Sequence, residues 1–188
     1  MELWTWTIAG VLLMWTLAVD AFNIDVRTAR THRGDPGSMF GFTVVQHQQD
    51  NDHLLLVGAP KAQTRQRNRN SVKNGGAVYR CWTNSNAACS EIPVDIQDVG
   101  TGWNGTAYTN KEQKSGQWLG ASLYSSGRDG VVVACAPRYV YFSSSLNKRE
   151  PTGNCFHGNL RTNTFQDYSP CKTGWLYKII VFFMKKKT

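Results

Sequence analysis

From Phe22 onward, short apolar segments alternate with clusters of Gly, Asn, Asp and Ser, a pattern of many short strands joined by tight turns. Phe40-Gly41-Phe42-Thr43-Val44-Val45 predicts one strand and His53–Val57 a second. The unbroken Leu54-Leu55-Leu56-Val57 run predicts burial on both faces of the sheet, and the polar stretch Gln46–Asp52 reads as the turn between the two strands. Gly75-Gly76 introduces a third strand over Ala77–Cys81. Cys89–Val94 predicts a fourth, placed at an edge because Pro93 has no N–H to give a ladder.

The same grammar returns further along. Trp118–Leu123 echoes the Phe-Gly-Phe segment, with Gly120 lying 79 residues beyond Gly41. Val131–Pro137 echoes Leu54–Pro60, with Pro137 lying 77 residues beyond Pro60. Two ordered matches at near-equal offsets indicate an internal repeat. In each unit the Gly is expected where backbones approach closely, and the Ala-Pro ends a buried strand. One four-stranded unit cannot bury both faces, so it needs neighbours. The predicted fold is all-β, a partial β-propeller of about two blades, from an architecture that closes with about 4–8.

The first residues change the compartment. Ile8–Val19 is an apolar run too short to span a bilayer comfortably, and Val19-Asp20-Ala21 offers a cleavage site. A signal-peptide helix over 1–21 is predicted, with the mature chain starting at Phe22. Glu2 stands where a Lys or Arg is usual, and a buried helix or a membrane anchor is the alternative. In an oxidising compartment the five cysteines tend to pair and leave one over. Cys81 and Cys89 are close enough to staple a hairpin. Cys135 and Cys155 offer a second pairing, with Cys171 remaining. Metal ligation is the weaker reading, since no zinc-type spacing is present. Asn104-Gly105-Thr106 is the one glycosylation sequon.

The net charge of +8 is concentrated in two places. Lys61, Arg65, Arg67, Arg69 and Lys73 form one acid-free stretch, and Lys172, Lys178, Lys185, Lys186 and Lys187 lie near the end. Without those ten the remainder is slightly acidic, which argues against a nucleic-acid groove. The first stretch reads as a solvated loop, with polyanion binding as the alternative.

Phe40-Gly41-Phe42 followed by Val57-Gly58-Ala59-Pro60 resembles an FG-GAP repeat, the propeller blade of integrin α subunits. Further motifs follow in the family's order. Phe22-Asn23-Ile24-Asp25 resembles the mature amino terminus, and Gly34–Phe42 the opening of the first blade. Gly75–Cys81 is similar to the approach to the first disulfide, Gln117–Gly120 to the opening of the second blade. Val133–Tyr139 and Pro151–Cys155 match beyond it. The resemblance covers roughly 22–171. It divides the chain into an amino-terminal strand and first blade (22–112), an incomplete second blade (113–171), and a tail (172–188) that fits no blade and reads as a truncation or an alternative ending.

The resemblance implies a seven-bladed propeller in an α/β heterodimer that binds extracellular matrix and signals. Its expected place is the extracellular face of the plasma membrane, held there only through a carboxy-terminal part missing here. The implied partners are an integrin β subunit and a matrix protein, with Gly34-Asp35-Pro36-Gly37-Ser38 leaning toward laminin. The implied disulfides are Cys81–Cys89 and Cys135–Cys155, with Cys171 left to bond a later cysteine. Calcium is expected in later blades and no cofactor in this stretch, where D-x-[DN]-x-[DN]-G does not occur.

Rival readings exist. Arg33-Gly34-Asp35 would suit a secreted integrin ligand, although it overlaps the blade opening. FG-GAP propellers also serve as accessory domains of secreted phospholipases. Here His32, His47, His53 and His157 are scattered, no Gly-x-Ser-x-Gly or His-Glu-x-x-His occurs, and Asp95, Asp98 and Asp129 lie in turn-rich surroundings. No enzymatic activity is expected. A lectin-like propeller would use exposed aromatics, for which Trp103 is the better candidate and Trp118 is expected in the core.

Overall fold

The computed structural model describes residues 27–66, 71–143 and 147–172. The predicted signal peptide, Phe22–Asp25, Arg67, Arg69 and the tail from Thr173 lie outside them. The chain divides into two units, Met1–Arg30 and Thr31–Thr188. Residues 27–30 of the first hold no strand, and the second carries every strand described.

Strands β1 (Thr43–Gln49), β2 (Asp52–Ala59), β3 (Ala77–Trp82) and β4 (Ser90–Ile92) form an antiparallel sheet in chain order. A small hairpin follows, β5 (Thr101–Trp103) with β6 (Tyr108–Asn110), and then β7 (Glu112–Gln113). Next come β8 (Ser122–Ser125), β9 (Val132–Ala136), β10 (Val140–Ser143), β11 (Lys148–Glu150), β12 (Asn154–Asn159) and β13 (Thr164–Tyr168). A second antiparallel sheet runs β13-β12-β9-β8, and β10 pairs with both β11 and β7 in a three-stranded sheet. The described chain is all-β, a partial propeller of two four-stranded blades.

The first strand lies later than its hydrophobic pattern suggests. Phe40–Phe42 is a turn closed by Phe42 N–H donating to the Met39 carbonyl, with Met39 and Gly41 at φ of 59° and 91°. The polar residues Gln46–Gln49 instead pair with Leu55, Leu54, His53 and Asp52. His47 is buried and Gln48 and Gln49 are only partly exposed, so this stretch is a covered strand with polar side chains, which looks like a turn in composition. Only Asp50 and Asn51 remain to make the turn.

Alternation builds the core. Leu54, Leu56, Val78 and Ile92 of the first sheet share a cluster with Val132, Ala134, Ala136 and Phe156 of the second. The opposite face of the first sheet places Val57, Ala59, Ala77, Tyr79 and Cys81 in a second cluster with Ala62 and Phe40.

The repeat is written in the backbone as well as in the residues. Left-handed φ recurs at a spacing of 79 in Met39 and Trp118, in Gly41 and Gly120, and in Asp50 and Asp129. Turn hydrogen bonds recur with it. Ala62 N–H donates to the Ala59 carbonyl and Gly76 N–H to Ala62, as Tyr139 N–H does to Ala136 and Gly153 N–H to Tyr139.

Close approach of the sheets falls at Gly58 and Gly120. A Cβ on Gly58 would lie 1.9 Å from the Gly120 carbonyl oxygen, and one on Gly120 would lie 2.7 Å from that of Ala77. Thr43 Oγ1 donates to the same Gly120 oxygen at 2.7 Å. Gly41 is different, because nothing lies within 4 Å of its Cβ position. Its need is the left-handed φ and not the tight contact expected from its motif.

His47 on β1 is buried, and its Nδ1 lies 2.8 Å from Ser125 Oγ on β8, tying the two sheets. Burial lowers its pKa below the ordinary value of 6.5, and the charge of Asp129 only partly opposes this. The folded state therefore favours neutral imidazole, while the unfolded chain takes up the proton first. The stability this contributes is complete above the unfolded pKa and is lost as pH falls through it toward the folded value. Thermal melts between pH 7.5 and 5 should show a decline in Tm that His47→Gln flattens. An equal decline in both proteins would remove His47 as its source.

Candidate binding face

The β2–β3 loop, the β4–β8 connection and the β9–β12 connection meet at one end of the two sheets. Leu119 N–H donates to the Gly75 carbonyl, Gly116 N–H to Lys73 and Arg138 N–H to Gln117, each at 3.0–3.1 Å. These bonds fix three loops to one another, so their side chains sit on a common, rigid surface.

Trp118 belongs to this surface, in contact with Phe42, Lys61 and Arg138. It is half-buried, and its φ of 66° is uncommon for a bulky residue, a conformation costing about 1–3 kcal/mol. Its ring meets Phe42 edge to face at 6.0 Å. Lys61 Nζ lies 5.9 Å from the ring centroid and the Arg138 guanidinium 5.2 Å. Trp118 is thus a partly covered residue outside both core clusters, not the core residue its hydrophobicity suggests. Its place in the β-opening motif carries Leu119 into the core instead, at 2% exposure.

The basic stretch 61–73 is partly neutralised. Exposed Arg65 pairs through its guanidinium with Asp35 at 3.1 Å, and Glu91 accepts the Arg65 backbone N–H at 3.0 Å and the Thr64 hydroxyl at 2.5 Å. The Asp35 carbonyl also accepts the Ser38 N–H at 3.1 Å and the Ser38 hydroxyl at 2.5 Å, a turn that constrains any role of Arg33-Gly34-Asp35 as a mobile ligand loop.

Asp95, which its turn-rich surroundings suggest is a solvated acid, is instead buried, and with Lys114 it forms a charged cluster. Lys114 Nζ lies 3.0 Å from Asp95 Oδ1, with side-chain exposures of 6% and 2%. The ammonium also donates to the Gln97 carbonyl at 3.0 Å and lies 3.6 Å from Glu112 Oε1. Gln117 Nε2 donates to Asp95 Oδ2 at 3.3 Å. The Tyr139 hydroxyl donates to Glu112, and burial, reinforced by that acceptor, pushes its phenol well above the ordinary tyrosine range. A Lys and an Asp separated by 19 positions carry no local signal of pairing. Only the β4–β8 connection, folding back on itself, brings them together.

At the opposite end the turns join through charge. Arg161 bridges Asp50 at 2.5 Å and Asp129 at 3.1 Å, the equivalent turn residues of the two sheets. The Asp129 carboxyl is held below the usual range, chiefly by the Asp50 N–H bound to it, with Arg161 adding to the effect.

Cys81 and Cys89 are disulfide-bonded, as are Cys135 and Cys155, which sit opposite each other on β9 and β12. Cys171 is free and exposed. His32 lies beside the first disulfide, but sulfurs bonded to each other offer no thiolate, so this trio is not a metal centre. His53 is exposed, and His157 packs edge-on to Tyr168 at 6.3 Å. Ser125 Oγ, besides meeting buried His47, accepts the Gly127 N–H. Asn104 occupies the β5–β6 turn, and Trp103 beside it is 57% exposed. Among the described residues no helix is long and apolar enough to cross a membrane.

No family profile matches the sequence. Individual proteins do. Integrin alpha-V of Gallus gallus is 39% identical over 170 residues, and integrin alpha-8 of Homo sapiens 37% over 166. These alignments cover 88% and 86% of this chain and 15% of each relative. Integrin alpha pat-2 of Caenorhabditis elegans is 35% identical over 156 residues, covering 82% of this chain and 13% of that protein. The chain therefore spans only a small part of the length of the relatives it matches. Identity of this order, sustained along more than four-fifths of a chain built of two repeated blades, places it in the integrin α family.

Proposed function

We propose that the chain acts in cell adhesion by binding and not by catalysis. In this reading it supplies two blades of an extracellular propeller that pairs with an integrin β subunit and helps grip a matrix protein outside the plasma membrane. The observation that supports this most is Trp118. A large aromatic kept at the surface in a costly backbone conformation, with Phe42, Lys61 and Arg138 around it, has the composition of an interface anchor. Loops bonded to one another over a stiff sheet lose little freedom on binding.

A chimera tests this. Residues 31–171 would replace the aligned stretch of the chicken alpha-V relative, and the product would be co-expressed with an integrin β subunit. Surface heterodimer should form, and Trp118→Ala should lower its amount by about tenfold or more, as expected for an anchor worth about 2 kcal/mol. A correctly disulfide-bonded chimera from which no β subunit co-precipitates would sink the proposal. Adhesion of the same cells to laminin and to an Arg-Gly-Asp matrix protein then separates ligands. The Gly34–Ser38 opening supports laminin.

A further inference from the structure

The β5–β6 hairpin belongs to neither four-stranded sheet. Its ladder ends at Trp103 opposite Tyr108, and Asn104 N–H donates to the Ala107 carbonyl to close the turn. Trp103 and Tyr108 are 57% and 75% exposed, with ring centroids 5.4 Å apart. Single exposed aromatics are ordinary. Two together on a two-stranded hairpin are less so, because such a hairpin is marginal in water without an apolar cover.

The cover can come from the turn itself. Asn104 Oδ1 accepts the N–H groups of Thr106 at 2.9 Å and Ala107 at 2.8 Å, which leaves Nδ2 as the uncommitted end of the side chain. Gly105 and Thr106 are exposed and complete the N-x-T acceptor. We propose that Asn104 carries an N-linked glycan and that its first sugar lies on the Trp103–Tyr108 pair, so that glycan and hairpin hold each other in place. In the coupling step Nδ2 attacks the anomeric carbon of a polyprenyl-diphosphate-linked oligosaccharide. The N–C bond forms as the C–O bond to the diphosphate breaks. The diphosphate leaves with the electron pair, and one amide proton passes to a base. The apolar C–H face of the sugar then removes aromatic surface from water.

The inference rests on passage through the secretory pathway and is independent of pairing with a β subunit. To test it, the full chain would be secreted from animal cells and a portion trimmed enzymatically to one sugar. Hydrogen exchange over Thr101–Asn110 would then be compared with that of Asn104→Gln. Amide exchange should be about fivefold slower in the one-sugar form, the size of a single aromatic stacking contact. The glycan effect should vanish in Trp103→Ala and shrink in Tyr108→Ala. Since either change weakens the hairpin itself, the quantity compared is the sugar-to-Gln ratio within each background. An unmodified Asn104 in the secreted chain overturns the proposal. So does a ratio of one in the parent protein, or one that Trp103→Ala leaves intact.

Discussion

Asp95→Ala is expected to abolish secretion of a protease-resistant chain. The carboxylate and the Lys114 ammonium are almost wholly buried, and the pair is reinforced by Gln97 and Gln117. Removing Asp95 takes away the nearest acid from a buried ammonium and leaves it the more distant Glu112 at 3.6 Å and the Gln97 carbonyl, at a cost approaching the ~3–5 kcal/mol of a broken buried pair. That is a large share of the ~5–15 kcal/mol that holds a typical domain folded. Lys114→Met should do the same. The double change Asp95→Leu with Lys114→Met should recover part of the loss, since the two most deeply buried charges go together while Glu112 keeps the Tyr139 hydroxyl. Removing the Arg65–Asp35 pair by Arg65→Ala should cost less than about 1 kcal/mol, because both side chains are more than half exposed. Secretion yield and urea unfolding followed by tryptophan fluorescence report these differences. Equal losses from the buried and exposed pairs would show that burial is not what matters.

The second large effect is expected where the sheets touch. In Gly58→Ala the new methyl would sit 1.9 Å from the Gly120 carbonyl oxygen and 2.4 Å from Thr43 Oγ1. The first neighbour is backbone, so one sheet must move away from the other. Overpacking costs about 1–3 kcal/mol even where side chains can yield, and a backbone neighbour leaves less room to do so. Gly120→Ala adds the left-handed backbone to a similar clash. Gly41→Ala should be milder, about 1–2 kcal/mol, because it meets only the dihedral cost. Unfolding midpoints should rank Gly41→Ala above both others. If Gly58→Ala behaves like the parent, the sheets are not in the contact described.

The two glycines also show what periodicity reads well and what it cannot. Gly41 recurs as Gly120, so its importance was legible, whereas the position matching Gly58 in the second unit is Cys135 and the repeat gives no hint of it. Their reasons differ, because Gly58 faces a neighbouring backbone and Gly41 faces open space. Strand existence was equally legible where burial imposed a pattern, as in Leu54–Val57 and Val132–Ala136. Gln46–Gln49 escaped because this half of the strand meets the second blade through polar contacts, His47 with Ser125 and the Gln48 carbonyl with the Asp129 N–H, so its residues need not be apolar to be covered. Trp118 was misplaced for a related reason. A large hydrophobic residue beside a strand motif usually points inward, but the left-handed turn at 118 sends Leu119 inward and leaves the indole half-buried among Phe42, Lys61 and Arg138.

By itself the sequence determined the blade unit, its repetition, the all-β class and the family, because each is carried by local features. Apolar alternation, turn-forming glycines and short motifs act within a few residues and repeat at a fixed spacing. The tertiary structure alone decided which residues share a surface or a charge. The Asp95–Lys114 pair, the Arg161 bridge between Asp50 and Asp129, and the Trp118 setting all join positions far apart in the chain. Coulomb attraction and packing depend on distance in space, and that distance is set only when the connections between strands fold back.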